Sequence, residues 1–435
     1  MIDLVQLRRE PEAVTAALRR RGVTAATVET IAALDVEYRR LLAETERLRA
    51  QVKDLSRRVG EARRAGDTAS ATRLADESRR VGDLERASTA ATEVIERDLR
   101  DRLLMLPNLP SPEAPDGDDE TGNVELRRWW VGCDEGIPEP TFAEHQRVPH
   151  WEVGADLGIL DLDTGVKLAG SMFPLFRGPG ARLLRALGSF ALDRHLDGFE
   201  EIRPPTFALT ETMRSTGHLP KSADDMYAIE RDGLWAIPTA EVPLTSMMRG
   251  EIIEEARLPM RLTAQTACFR REAGAAGRDT RGVLRVHEFD KVELLAYCTP
   301  DQAAAMHLEV LARAEGIIRA LGLTYRVLDL CAGDLGTSSK RTWDLEVYSP
   351  GVDRWLEVSS VSWFGDFQAR RANVRFRRGD GTTALVHTVN GSALAWPRIW
   401  AALVEVGRQS DGSVVLPDVL SPYLGGATRI SRPVS

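Results

Sequence analysis

Residues 265–293 read QTACFRREAGAAGRDTRGVLRVHEFDKVE, and the reading of the whole chain turns on them. The pattern predicts a strand ending in Phe269-Arg270-Arg271-Glu272. A loop follows, carrying Gly274, Gly277 and Gly282 with Arg278, Arg281 and Arg285. A second strand is expected from His287 to Leu295. Side chains two apart on a strand share a face. Arg270 and Glu272 are therefore expected to point one way, and so are Phe289, Lys291 and Glu293. A guanidinium grips phosphate or carboxylate through parallel N–H donors, and a carboxylate beside it accepts from an ammonium group. The stretch suits a polyanion that also carries an amine. Read alone, the residues also allow a plain hairpin with a solvated, charged turn.

The rest of the chain sets bounds on this reading. Its 435 residues suffice for two or three domains and a large core. The first residues, MIDLVQLRREPEAV, are charged from the start and lack an apolar signal core. No apolar run approaches the ~20 residues of a membrane span. A cytoplasmic protein without a membrane partner is expected. Cys133, Cys268, Cys298 and Cys331 are scattered with no CxxC pair, which argues against a disulfide framework and a zinc knuckle. The net charge is −8, but residues 1–105 carry +2 and the remainder −10. A nucleic-acid contact is therefore expected to begin in the N-terminal part.

That part reads as helical. Leu4, Leu7, Val14 and Leu18 mark one short amphipathic helix over 3–21. Two long helices follow over 34–104. Leu41, Thr45, Leu48, Val52, Leu55, Val59 and Ala62 alternate spacings of four and three, a heptad seam. Gly66-Asp67 breaks it. Leu74, Val81, Leu84, Ala91, Ile95 and Leu99 form a looser second stripe. A short break between two such helices predicts an antiparallel hairpin, roughly 50 Å long at 1.5 Å per residue. It is either a structural coiled coil or a probe reaching a distant site on a large partner. Residues 106–122, LPNLPSPEAPDGDDETG, are expected to link the arm to the rest, because four prolines and an acidic run neither continue a helix nor build a core.

Beyond the linker, residues 180–197 have helical apolar spacing, and GFEEIRPP reads as turn, strand and proline stop. IPTAEVPLT (237–245) reads as an extended segment with Thr239 and Glu241 on one face. Residues 303–321 form an amphipathic helix, and WLEVSSVSWFGDFQARRANVRFR (355–377) a sheet segment. HTVNGSALAWPRIWAALVEV (387–406) reads as strand, glycine turn and helix, with Pro397 in the helix's first turn. GxGxxG, P-loop, HExxH and GxSxG patterns are absent, which removes the usual rival nucleotide and hydrolase readings.

The run FRREAGAAGRDTRGVLRVHEFDKVE resembles motif 2 of class II aminoacyl-tRNA synthetases, in the version found in bacterial seryl-tRNA synthetases. MIDLVQLRREPEAVTAALRRRG and LDVEYRRLLAETERLRAQ are similar to that family's N-terminal arm, although Val52-Lys53 stand where Arg-Asn is usual. Residues 180–205 resemble motif 1, 387–406 motif 3, and HLPKSADDMYAI with IPTAEVPLT the serine-recognition segment. The resemblance implies an α+β fold. It would comprise an antiparallel helical hairpin over 1–105, a Pro/Asp-rich linker over 106–125, and a class II catalytic domain over 126–435 with a mainly antiparallel sheet flanked by helices. It implies ATP-dependent activation of L-serine and transfer to tRNA(Ser), or also tRNA(Sec), bound through the arm. It further implies a homodimer formed through motif 1.

By the same resemblance, Arg270, Glu272 and Arg398 are the catalytic residues. Arg270, Arg271, Glu272, Val286, Glu357, Val358, Ser359, Ser360 and Arg398 would bind ATP. Thr239, Ala240, Glu241, Arg270, Glu293, Asn390 and Ser392 would bind serine, and Glu357 with Ser360 would hold Mg²⁺. Strand parity pairs Glu357 with Ser359, so the implied pairing with Ser360 calls for a bulge. Two other functions stay open: a specialised paralog with a shifted amino acid, inhibitor resistance or a biosynthetic acceptor, and an inactive tRNA-binding protein. The paralog idea rests on residues 390–399, NGSALAWPRI, where the family usually runs NGSGLAVGRT. Ala393, Trp396 and Pro397 are expected there to reshape the nucleotide floor.

Overall fold

The structure, a computed structural model, describes residues 1–273 and 281–432. Arg278, Gly274 and Gly277, singled out above, lie outside the described residues. The chain forms two compact units, Ile2–Leu106 and Pro107–Ser435, with Met1 grouped in the second.

The first unit is helical. The single helix expected over 3–21 is two, α1 (Leu4–Arg9) and α2 (Pro11–Arg19). Pro11 lacks the N–H that would continue α1, yet it fits the first turn of α2. The hairpin consists of α3 (Ala25–Arg64) and α4 (Thr68–Met105). Its turn follows from two residues. Gly66 takes φ +73°, the left-handed position that closes a helix end. Asp67 then accepts from the Ser70 N–H at 3.0 Å and starts α4.

Leu48, Leu55, Leu74 and Val81 are buried between the helices, with Val52, Val59 and Ala62 packed against them. The second stripe differs from its apolar reading. Leu84 and Ala91 are exposed, and the seam runs instead through Ser88 and buried Thr92. The Thr45 hydroxyl meets those of Ser88 at 2.7 Å and Thr92 at 3.1 Å. A hydroxyl layer thus sits inside the otherwise apolar seam.

The second unit is built on an eight-stranded sheet. Its strands are β1 (Val124–Trp129), β2 (Glu200–Glu201), β3 (Met260–Phe269), β4 (Glu288–Cys298), β5 (Tyr325–Asp329), β6 (Arg341–Ser349), β7 (Arg354–Gly365) and β8 (His387–Ala395). Their spatial order is β1-β5-β6-β7-β8-β4-β3-β2. Every pair is antiparallel except β2 with β3. Of helices α5 (His150–Asp156), α6 (Pro179–Asp193), α7 (Glu241–Ser246), α8 (Ala303–Ala320) and α9 (Trp396–Val406), the last four pack on the sheet and α5 packs on α9. Gly391 is not a turn but lies within β8, where an added Cβ would come within 2.5 Å of Val310 on α8. Glycine there lets the helix pack close to the sheet.

The segment after the arm is not an open tether. Asn108, Ser111 and Ala114 are buried, and Ala114 packs with Leu328, Leu330 and Leu335. The Asn108 amide donates to the Ser338 and Phe364 carbonyls. Hydrogen-bonded side chains let this Pro-rich chain run along a surface it cannot join as helix or strand.

Candidate active site

One cavity of about 320 Å³ opens where β3, β4, β7 and β8 converge. Its walls contain Thr239, Glu241, Arg270, Glu272, Val286, Glu293, Glu357, Val358, Ser359, Ser360, Asn390, Ser392 and Arg398. These residues lie up to 159 positions apart in sequence, and the sheet brings them together.

Arg270 and Glu272 both face the cavity, but strand alternation is not the cause. β3 ends at Phe269, and Glu272 takes φ +52°. The Arg271 N–H bonds to the Asp225 carbonyl, so the chain has left the sheet by then. Arg270 lies over the Phe289 ring at 5.2 Å, a cation–π contact that holds the guanidinium flat. Glu272 is ion-paired with Arg285. Phe289, Lys291 and Glu293 do follow strand parity on β4, and all three line the cavity.

A compact polar cluster closes one end. The Lys291 ammonium donates to Thr239 Oγ1 at 2.7 Å, and Thr239 Oγ1 donates to Glu293 at 2.8 Å. Lys291 also pairs directly with Glu293. Thr239 and Glu241 are not on a strand: Glu241 opens the short helix α7. Pro238 and Pro243 make an extended reading natural, yet proline is also tolerated in a helix's first turn. Thr239 Oγ1 accepts from the Glu241 N–H at 3.2 Å and steadies that start. Gln368 donates to Glu241 at 2.6 Å, and the Thr388 hydroxyl fixes the other end of the amide at 2.7 Å. Burial, then the nearby Glu293 charge, pushes the Glu241 carboxyl up to about 7, while Gln368, Lys291 and Asn390 pull it down. His218 borders the same end. Burial, then Arg270 and Lys291, lowers its imidazole to about 4.

The other wall is set by a bulge. Leu345 faces Ser359 and Glu346 faces Glu357, so Val358 is the extra residue. The irregularity called for above is present, and it resets alternation so that Glu357 and Ser360 both reach the cavity. Asp344 lies opposite Ser360. Its Oδ1 has no hydrogen-bond partner among the described residues. Burial, then the Glu357 charge, raises its carboxyl well above the usual range. Arg398, in the first turn of α9, donates to the Glu357 carbonyl at 2.6 Å and the Leu284 carbonyl at 3.0 Å. Its guanidinium lies 3.5 Å from the Glu357 carboxylate.

Some expected residues lie elsewhere. The Arg271 guanidinium reaches the Asp224 carbonyl at 3.1 Å and does not line the cavity. Ala240 is buried in a separate apolar cluster. Arg281 borders a second cavity with Trp151, Met172 and Gly282. Ala393 and Trp396 are fully buried in the main core, so the Trp396 bulk is spent on packing. Of Ala393, Trp396 and Pro397, only Pro397 borders the cavity. Lys291 and His218 line the cavity beyond the expected residues, and Gln368 and Asp344 stand behind its walls against Glu241 and Ser360. The parity of Lys291 with Glu293 was a visible signal, whereas nothing local marks Gln368.

Comparison with known proteins matches this arrangement. Residues 1–110 match the family model "Seryl-tRNA synthetase N-terminal domain", and residues 227–407 match "tRNA synthetase class II core domain (G, H, P, S and T)". A serine–tRNA ligase of Acidithiobacillus ferrooxidans is 46% identical over 432 residues, 99% of this chain and 100% of that protein. One from Magnetococcus marinus is 43% identical over 429 residues, 98% of this chain and 99% of that protein. The crystal structure of seryl-tRNA synthetase from Pyrococcus horikoshii complexed with ATP superposes with a TM-score of 0.90 at 33% identity, covering 100% of both chains. With its helical arm, its antiparallel catalytic sheet and relatives that match it end to end, the chain belongs to the seryl-tRNA synthetase family.

Proposed function

We propose that the protein is a serine–tRNA ligase that joins L-serine to ATP and passes the seryl group to tRNA(Ser). One observation carries this reading: a single cavity places the Thr239–Lys291–Glu293 cluster and Glu241 beside Arg270, Glu272 and Arg398. One end suits a small amine with a hydroxyl, the other a polyphosphate. In the first step a serine carboxylate oxygen bonds to the α-phosphorus and the bond to the pyrophosphate oxygen breaks. In the second, a terminal ribose hydroxyl of the tRNA attacks the acyl carbon and AMP leaves. Such steps need fixed positive charge where phosphate charge develops. Arg270 lies between the two ends and would hold the serine carboxylate and the α-phosphate. Arg398 would take the outer phosphate, and Glu272 with Val286 the base. Serine-dependent ATP–pyrophosphate exchange, screened against other amino acids and followed by charging of purified tRNA, tests the assignment. Exchange with an amino acid other than serine would overturn it.

Glu357 and Ser360 would hold Mg²⁺. Their shared orientation and the unpartnered Asp344 oxygen fit a cation. Among the described residues no three His, Cys, Asp or Glu side chains gather as ligands. That fits an ion that keeps few protein oxygens and completes its shell with phosphate and water. When bound, the ion would supply charge to the phosphates.

The Glu241 value has a consequence. A serine ammonium favours the ionised carboxylate, which below about pH 7 must first lose its proton. The serine KM is expected to fall as pH rises from 6 to 8, and Glu241→Gln to flatten that dependence while raising KM. A flat wild-type profile would contradict this role.

A homodimer through residues 180–205 fits the apolar surface there. Within that segment Leu196 is 50% exposed, an apolar side chain that a partner surface would cover. Sedimentation equilibrium is expected to give a dimer, and a stable, active monomer would contradict it. A specialised nucleotide floor would rest on Pro397 alone, because Ala393 and Trp396 serve the core.

A further inference from the structure

His150 stands outside every motif discussed above. It opens α5 and is fully buried with Glu405 of α9, one carboxylate oxygen of which accepts from both the His150 N–H at 2.9 Å and Nδ1 at 2.8 Å. The other oxygen accepts from the Gly351 N–H at 3.0 Å and from the Ser349 hydroxyl. Glu405 is thus held on all sides and holds the ring in turn. The second nitrogen, Nε2, accepts from the Val283 N–H at 3.0 Å. An acceptor at Nε2 requires the ring hydrogen on Nδ1, where Glu405 takes it.

Val283 and Leu284 are buried and line the cavity on the side of Val286. Arg398 takes the Leu284 carbonyl. This short segment is therefore pinned at the 282–283 peptide by His150 and at the 284–285 peptide by Arg398. Gly282 leaves room for the contact: a Cβ there would come within 2.2 Å of His150 Nε2.

We propose that His150 is a positioning residue for the nucleotide. Through Val283 it sets the wall against which the base of ATP lies, and Glu405 sets its tautomer. The inference rests on the proposed activity and is tested so that the two can fail separately. His150→Asn keeps a donor near the Nδ1 position and loses the Nε2 acceptor. His150→Gln places an acceptor near the Nε2 position. Loss of one neutral hydrogen bond in such a place corresponds to roughly a five- to tenfold change in affinity.

His150→Asn is expected to weaken ATP by that factor, as Kd by calorimetry and as KM in exchange, with the serine KM unchanged within about twofold. His150→Gln is expected to recover most of the ATP affinity. Gly282→Ala, which pushes on the same contact from the loop, is expected to reproduce the ATP defect. If His150→Asn fails to fold, the Gly282 variant decides. Equal losses for ATP and serine, or no rescue by glutamine, would make His150 merely structural. Unchanged ATP affinity would sink the proposal outright. A wild type that binds ATP but shows no serine-dependent exchange would overturn the proposed activity, while the Kd comparison would still judge His150.

Discussion

Arg270→Ala is expected to lower serine-dependent exchange by about 10²–10³-fold, or ~2.7–4 kcal/mol of transition-state stabilisation. The side chain is held flat on Phe289, so its charge is in place before the reaction and no ordering is needed as phosphate charge develops. It is half-buried at the cavity wall, and its removal leaves no unpaired carboxylate, since Glu272 keeps Arg285. Thermal stability should therefore change little. Arg270→Lys keeps charge but loses the planar fork, and should recover only part of the rate. Near-normal exchange in Arg270→Ala would refute the central placement of this residue.

Shortening the arm is expected to abolish tRNA charging and spare serine activation. Residues 46–87 can be replaced by a short Gly/Ser turn, because the Thr45 and Ser88 hydroxyls lie 2.7 Å apart and the cut ends already face each other. The cavity residues all belong to the other compact unit. Exchange and charging should be measured on one preparation. Loss of both with an intact circular-dichroism spectrum would mean that the arm is not a separate tRNA probe. Survival of both would leave it a purely structural coiled coil.

Periodicity was enough for the arm, because α3 and α4 bury a repeating stripe whose spacing is fixed by helix geometry. It failed where the stripe is polar: Ser88 and Thr92 occupy seam positions that an apolar count passes over. Strand parity correctly grouped Phe289, Lys291 and Glu293, since β4 runs in unbroken register with β3 there and the irregularity of its other ladder falls on β8. It misjudged Thr239 and Glu241, where two prolines hide a helix start, and it grouped Arg270 with Glu272 for the wrong reason. The shared face of Glu357 and Ser360 needed a bulge, and a bulge is a property of two strands together. Gln368 and His150 were invisible for the same reason. Their partners, Glu241, Thr388, Glu405 and Val283, are 20 to 255 residues away, and nothing local records such a pairing.

The Thr45–Ser88–Thr92 layer has a meaning beyond packing. Two helices joined only by leucines can slide past one another by a heptad at small cost, and one heptad is about 10 Å of travel. Thr45 meets Ser88 and Thr92 at a single level, so another alignment would separate these hydroxyls, although Thr92 keeps its own bond to the Ser88 carbonyl. The hairpin is in this sense a ruler with its zero engraved at Thr45. Replacing all three hydroxyls with alanine or valine would leave the Gly66-Asp67 turn as the remaining mark of where the two helices align.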